Sequence, residues 1–69
     1  MNVKFTLTMN DVFVEGKRVG TVIIDWLAET NEEELAAVTE QWLVSGDELA
    51  QRMTGMTDYG EMYLEVQEV

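Results

Sequence analysis

Carboxylates are the chemical resource of this 69-residue chain, which holds 14 Asp and Glu, 4 Lys and Arg, and neither His nor Cys. Acid–base catalysis would have to rest on paired carboxylates, and nucleophilic catalysis would lack both a thiol and an imidazole base. The lone serine, Ser45, stands ahead of Gly46-Asp47-Glu48. That spacing caps a helix more naturally than it arms a nucleophile. Asp25 lies between Ile24 and Trp26 at the end of an apolar stretch. Burial there would raise its pKa. An outward position on the strand would leave it an ordinary surface acid, and that is the expectation.

The carboxylates do not fall at metal-ligand spacings. Glu29 with Glu32-Glu33-Glu34 could attract a divalent cation. A calcium loop, however, needs oxygen ligands at fixed intervals around a glycine, and neither this run nor Asp47, Glu48, Asp58 and Glu61 supplies them. No metal and no cofactor is expected. No glycine-rich run opens a helix with a lysine, so no phosphate-binding loop is read either. Leu49 to Gly55 faintly resembles the first helix and turn of a helix-turn-helix, but the residues after Gly55 read as loop and strand, which leaves no recognition helix.

The elements that must carry these residues are legible from periodicity. Val3, Phe5, Leu7 and Met9 alternate with Lys4, Thr6 and Thr8, which predicts a strand with one buried face. The apolar parity then moves to Val12 and Val14. A bulge at Asn10-Asp11 within one long strand accounts for that better than a turn, because the strand left after a turn would be very short. Glu15-Gly16-Lys17-Arg18 reads as a hairpin turn centred on Gly16-Lys17, with Glu15 facing Arg18. The second strand is expected from Val19 to about Trp26. Its Val22-Ile23-Ile24 centre is apolar on both faces, so one face meets helices and the other is left for a partner or a loop.

A first helix is expected from Asn31, capped by the Asn31/Glu34 spacing and favoured by Glu32, Glu33 and Glu34 in its first turn. Leu35, Val38 and Trp42, widened by Leu43, form its apolar stripe. Ser45 is expected to end it and to begin a second helix over 46–54 that buries Leu49, Ala50 and Met53, with Gly55 closing it. After a loop, Met62, Leu64 and Val66 alternate against Tyr63, Glu65 and Gln67 as a last strand. The order is β-β-α-α-β. The expected fold is α+β and two-layered, a three-stranded, mostly antiparallel sheet covered by two helices in a single domain over 1–69. The last strand is free to pair with either member of the hairpin, in parallel or antiparallel fashion.

Charge sets the class of partner. A formal charge of −10 repels nucleic acid and anionic lipid and favours a basic protein surface. The longest apolar run is far too short to span a membrane, and residence in the cytoplasm is the default. With 46% hydrophobic residues in periodic runs, the chain is expected to fold rather than stay disordered. Asp25, Glu29, Glu32, Glu33, Glu34 and Glu40 are the candidate partner-binding carboxylates, and Trp26, Tyr59 and Tyr63 the candidate apolar contacts. Such carboxylates can occupy positions like those of phosphates on a duplex. In size and charge the chain is similar to small phage-encoded inhibitors of bacterial defence systems, a likeness of class carried by composition rather than by any motif. The leading expectation is a non-enzymatic interaction module that mimics nucleic acid and inhibits a basic nucleic-acid-binding protein. A homodimeric assembly protein is the second, and a carboxylate-based enzyme a distant third.

Overall fold

The structure is a computed structural model that describes residues 1–37 and 40–69, the side chains of Glu40 and Gln41 excepted. β1 (Asn2–Val14), β2 (Lys17–Glu29), α1 (Glu32–Ala36), α2 (Glu40–Thr54) and β3 (Met62–Glu68) follow in that order. They form an α+β fold in which the helices cover one face of a three-stranded antiparallel sheet. The sheet order is β2-β1-β3, so β3 lies beside the first strand and runs antiparallel to it.

The alternation in β1 works as its sequence predicts. Val3, Phe5, Leu7 and Met9 are fully buried, and their neighbours Lys4, Thr6 and Thr8 lie on the opposite face. The bulge is present. Met9 pairs with Val22 and Val12 with Gly20, so β1 carries one residue more than β2 across that interval. Asp11 takes the left-handed conformation there (φ 54°), and Val12 returns to the core. A compensating extra residue on β2 comes at once, because Phe13 pairs with Arg18.

The hairpin turn sits one residue earlier than the sequence suggests. Val14 pairs with Lys17, which leaves Glu15-Gly16 as the central pair, both at positive φ (50° and 82°). Two consecutive left-handed residues make a type I′ turn, whose twist matches the flanking strands. The expected Glu15–Arg18 pair is absent. Arg18 instead reaches back to the bulge, its Nη2 2.7 Å from Asp11 Oδ1. Glu15 sits where Asn is the preferred residue. Glu15→Asn should raise stability by about 0.5–1 kcal/mol in denaturant unfolding, since the Glu15 backbone N–H keeps its bond to Thr57 Oγ1.

The helices also divide elsewhere than expected. Asn31 caps α1, its side chain accepting from the Glu34 N–H at 2.9 Å, while the Thr30 hydroxyl donates to Glu34 Oε2 at 2.6 Å. α1 then closes at Ala36, where the Ala37 N–H turns back to the Glu33 and Leu35 carbonyls. Val38, expected in the same apolar stripe, lies outside the described residues. Ser45 is not a boundary, because α2 runs through Ser45-Gly46 to Thr54. Close packing explains the glycine. A Cβ on Gly46 would stand 2.7 Å from Leu7 Cδ2 and 2.7 Å from Trp26 Cη2, so only the bare backbone fits there against the sheet. The Gly55 cap is as expected, its N–H donating to the Gln51 carbonyl at 2.8 Å, but Met53, expected in the core, is 69% exposed.

Phe5 is the centre of the packing. Its ring stacks on Trp26 of the neighbouring strand (centroids 5.2 Å apart) and on Trp42 of α2 (4.7 Å). Leu7, Met9, Val12, Ile24, Ala50 and Met56 extend the core towards the hairpin. The 13-residue hairpin strands, each about 43 Å long when extended, make the molecule a rod of 39 × 18 × 15 Å. Its radius of gyration, 12.7 Å, exceeds the roughly 11 Å of a compact globule of this length. Among the described residues, no helix is long and apolar enough to cross a membrane.

Candidate interaction surface

The helices leave the second face of the sheet open. Register assigns its rows. Ile23, Thr8 and Tyr63 form one, Asp25, Thr6 and Glu65 the next, and Leu27, Lys4 and Gln67 the third; Glu29 and Asn2 close the end. Ile23 (64% exposed), Leu27 (73%) and Tyr63 (52%) are large apolar side chains left in solvent, interleaved with carboxylates on both outer strands. The face is a mosaic rather than a uniform apolar patch.

Five of the 14 carboxylates cluster at one end of the rod. Glu29 ends β2, Glu68 pairs across from Val3, and α1 places Glu32, Glu33 and Glu34 directly after the β2 terminus. All five are exposed. Glu29 and Glu34 line one concavity of about 320 Å³ together with Ala37 and Trp42. Lys17 and Arg18 lie at the hairpin tip, the opposite end. Among the described residues the single ion pair is Arg18–Asp11, with both side chains more than half exposed. Asp11, Glu15 and Asp58 stand beside Lys17 and Arg18, so the tip carries both signs of charge and the far end is the more uniformly acidic.

The nine candidates from the sequence therefore separate. Asp25, Glu29 and Tyr63 share the open sheet face, and Glu32, Glu33 and Glu34 adjoin its acidic end. Trp26 is half-buried on the inner face, held by Phe5, so its ring belongs to the helix side. Tyr59 is half-buried beside α2, where it lines a concavity of about 220 Å³ with Leu43, Val44, Asp47 and Met62. The Glu40 side chain lies outside the described residues. No protein-family model, curated protein or solved structure matches the chain.

Two features of the surface are not read from the sequence. Leu27 lies beyond the expected end of the second strand. Continuing the Ile23–Asp25 alternation through Leu27 to Glu29 would have found it. The Asp47 carboxylate, read as part of a helix cap, instead places Oδ1 in a buried position without a hydrogen-bond partner near Tyr59. Among the described residues, no three acidic side chains converge closely enough to hold a metal ion.

Both tyrosines report on their acidic surroundings. The Tyr63 hydroxyl donates to Glu61 Oε2 at 2.6 Å, and this bond, with the charge of Glu61, raises the phenol's pKa. Burial pushes Tyr59 up, and the charges of Asp47 and Asp58 add to the shift. A raised folded-state pKa stabilises the fold below the unfolded value near 10 and loses that contribution as pH rises through the folded value. Stability should therefore fall as pH climbs above about 10. Phenolate absorbance should show both groups ionising later in the folded than in the unfolded chain. Glu61→Gln should return Tyr63 towards its ordinary value and leave Tyr59 unmoved.

Proposed function

We propose that this chain is a non-enzymatic interaction module that binds the basic surface of a nucleic-acid-binding protein and inhibits it by taking the place of nucleic acid. The observation that carries this reading is the acidic end formed by Glu29, Glu32, Glu33, Glu34 and Glu68, all exposed. Carboxylates so placed raise the rate of encounter with a basic surface and orient it. Ile23, Leu27 and Tyr63 supply the apolar contact that charge alone lacks. The corresponding biological class is the small anti-defence inhibitor encoded by phages, at work in the host cytoplasm.

Capture from a nuclease-treated bacterial lysate tests the reading. One stoichiometric partner that normally binds nucleic acid, retained at low salt and released at high salt, supports it. Recovery of the bait alone, or a partner indifferent to salt, counts against it.

A second reading is favoured by Ile23 and Leu27, which remain exposed on the open sheet. A second copy covering them would make the chain an assembly protein. Light scattering distinguishes the two, because a dimer that persists at high salt requires this reading and a monomer removes it.

A further inference from the structure

Among the described residues, the backbone of β2 is paired on one side only. Met1 and Thr30 exchange hydrogen bonds in both directions, Met1 N to Thr30 O at 2.7 Å and Thr30 N to Met1 O at 2.9 Å. Antiparallel ladders alternate, so Ala28, Trp26, Ile24 and Val22 turn their N–H and C=O groups to β1. Ile23, Asp25, Leu27 and Glu29 must then turn theirs outward. The opposite side of β1 agrees, with Val69 N donating to Asn2 O and Asn10 N donating to Glu61 O on the β3 side. Among the described residues, no strand pairs with β2 along this outer edge.

The four residues with outward backbone groups also carry the open-face side chains. Along the edge they read Ile23, Asp25, Leu27, Glu29, apolar and acidic in turn, about 6.6 Å apart, and all exposed. A concavity of about 420 Å³ lined by Asn2, Leu27, Ala28, Glu29 and Val69 lies at the acidic end of the edge. The β3 edge differs. It is seven residues long, and Met62 and Leu64, which face outward with their backbone, turn their side chains to the core side.

We propose that the free edge of β2 receives an extended basic strand of a partner protein, whose backbone pairs with Ile23, Asp25, Leu27 and Glu29. Lys or Arg side chains on that strand meet Asp25 and Glu29, and aliphatic side chains between them meet Ile23 and Leu27. Strand addition takes its affinity from main-chain hydrogen bonds and its specificity from alternate side chains. Charge selects the occupant. A second copy brings another −10, and its symmetric pairing centred on Asp25 sets the two Asp25 carboxylates opposite each other, which is destabilising. The inference rests on the proposed binding of a basic partner and gives it a mode.

The test uses a labelled, end-blocked peptide in which Thr alternates with Lys and Ile, so that Lys and Ile share one face. A second peptide is identical except for N-methylation of alternate amides, which removes edge donors and keeps every charge. Anisotropy titrations should show binding that weakens with salt and weakens at least about tenfold on methylation. Leu27→Pro should cause the same loss with unchanged circular dichroism, because its N–H points away from β1 and no ladder bond is removed. Equal binding of both peptides overturns edge pairing and leaves the acidic-surface reading standing. So does failure of the peptides beside successful capture of a salt-sensitive lysate partner. Loss of both peptide and lysate binding overturns the two together. A wild-type dimer that Leu27→Pro dissociates assigns the edge to a second copy and overturns the proposal. Should Leu27→Pro not fold, the methylated peptide decides alone.

Discussion

Phe5→Ala is expected to leave the chain largely unfolded at room temperature. Phe5 is fully buried, and its ring is the shared member of two stacked pairs that join β1 to β2 through Trp26 and β1 to α2 through Trp42. Truncating a buried Phe to Ala costs about 3–5 kcal/mol, and each aromatic pair adds about 0.5–1.5 kcal/mol beyond buried area. A domain of this length has a total stability of about 3–10 kcal/mol. The substitution thus removes a large share of it, and no disulfide limits the unfolded state, as the chain has no Cys. Denaturant unfolding followed by Trp fluorescence measures this directly. Phe5→Leu, which retains most of the volume, should lose much less. If Phe5→Ala shifts the midpoint only slightly, the stack does not hold the helical layer to the sheet.

Gly46→Ala should destabilise the fold, against the usual trend for a helix interior. In an exposed helix this change stabilises by about 1 kcal/mol, because Ala restricts the backbone. At Gly46 the new methyl would stand 2.7 Å from Leu7 and from Trp26. Leu7 is fully buried and Trp26 is stacked on Phe5, so neither can give way without disturbing the core. Overpacking of this kind costs about 1–3 kcal/mol, which outweighs the propensity gain. We expect a net loss of about 1–2 kcal/mol and a change in near-ultraviolet circular dichroism from the displaced Trp26. A stability gain would mean that α2 stands further from the sheet than the structure places it.

Gly46 also shows why part of the fold is illegible in the sequence. A serine followed by Gly, Asp and Glu has the local signature of a helix start, and local signals are all that spacing can convey. The glycine is there because the sheet is close, a tertiary requirement with no mark in neighbouring residues. The hairpin turn differs by one residue for a related reason. Glu15 is a poor residue for positive φ, so local preference favours Gly16-Lys17 over Glu15-Gly16. By contrast, the strict alternation of Val3 to Met9 exposes β1, and the parity change at Val12 marks an irregularity at Asn10-Asp11 that strand length favours as a bulge over a turn.

The candidate surface is legible to a similar depth. Val22-Ile23-Ile24 announces a strand with apolar side chains on both faces, and Ile23 is the one left in solvent. Clustering of Glu29 with Glu32 to Glu34 is visible as well. What spacing does not convey is the sheet order. Only with β1 central does β2 become a free edge, and only then do Asp25 and Glu29 lie along it. Trp26 misleads because an aromatic beside a carboxylate at a strand end reads equally well as inward or outward.

The function proposed for this chain is competition with nucleic acid for a basic partner. The most direct measurement takes the partner captured from lysate, loads it with labelled nucleic acid, and titrates in the protein. Stoichiometric displacement of the nucleic acid is expected, with an apparent affinity that falls as salt rises and falls further when Glu29, Glu32, Glu33 and Glu34 are replaced by Gln. A ternary complex, or nucleic acid that stays bound at saturating protein, would contradict it.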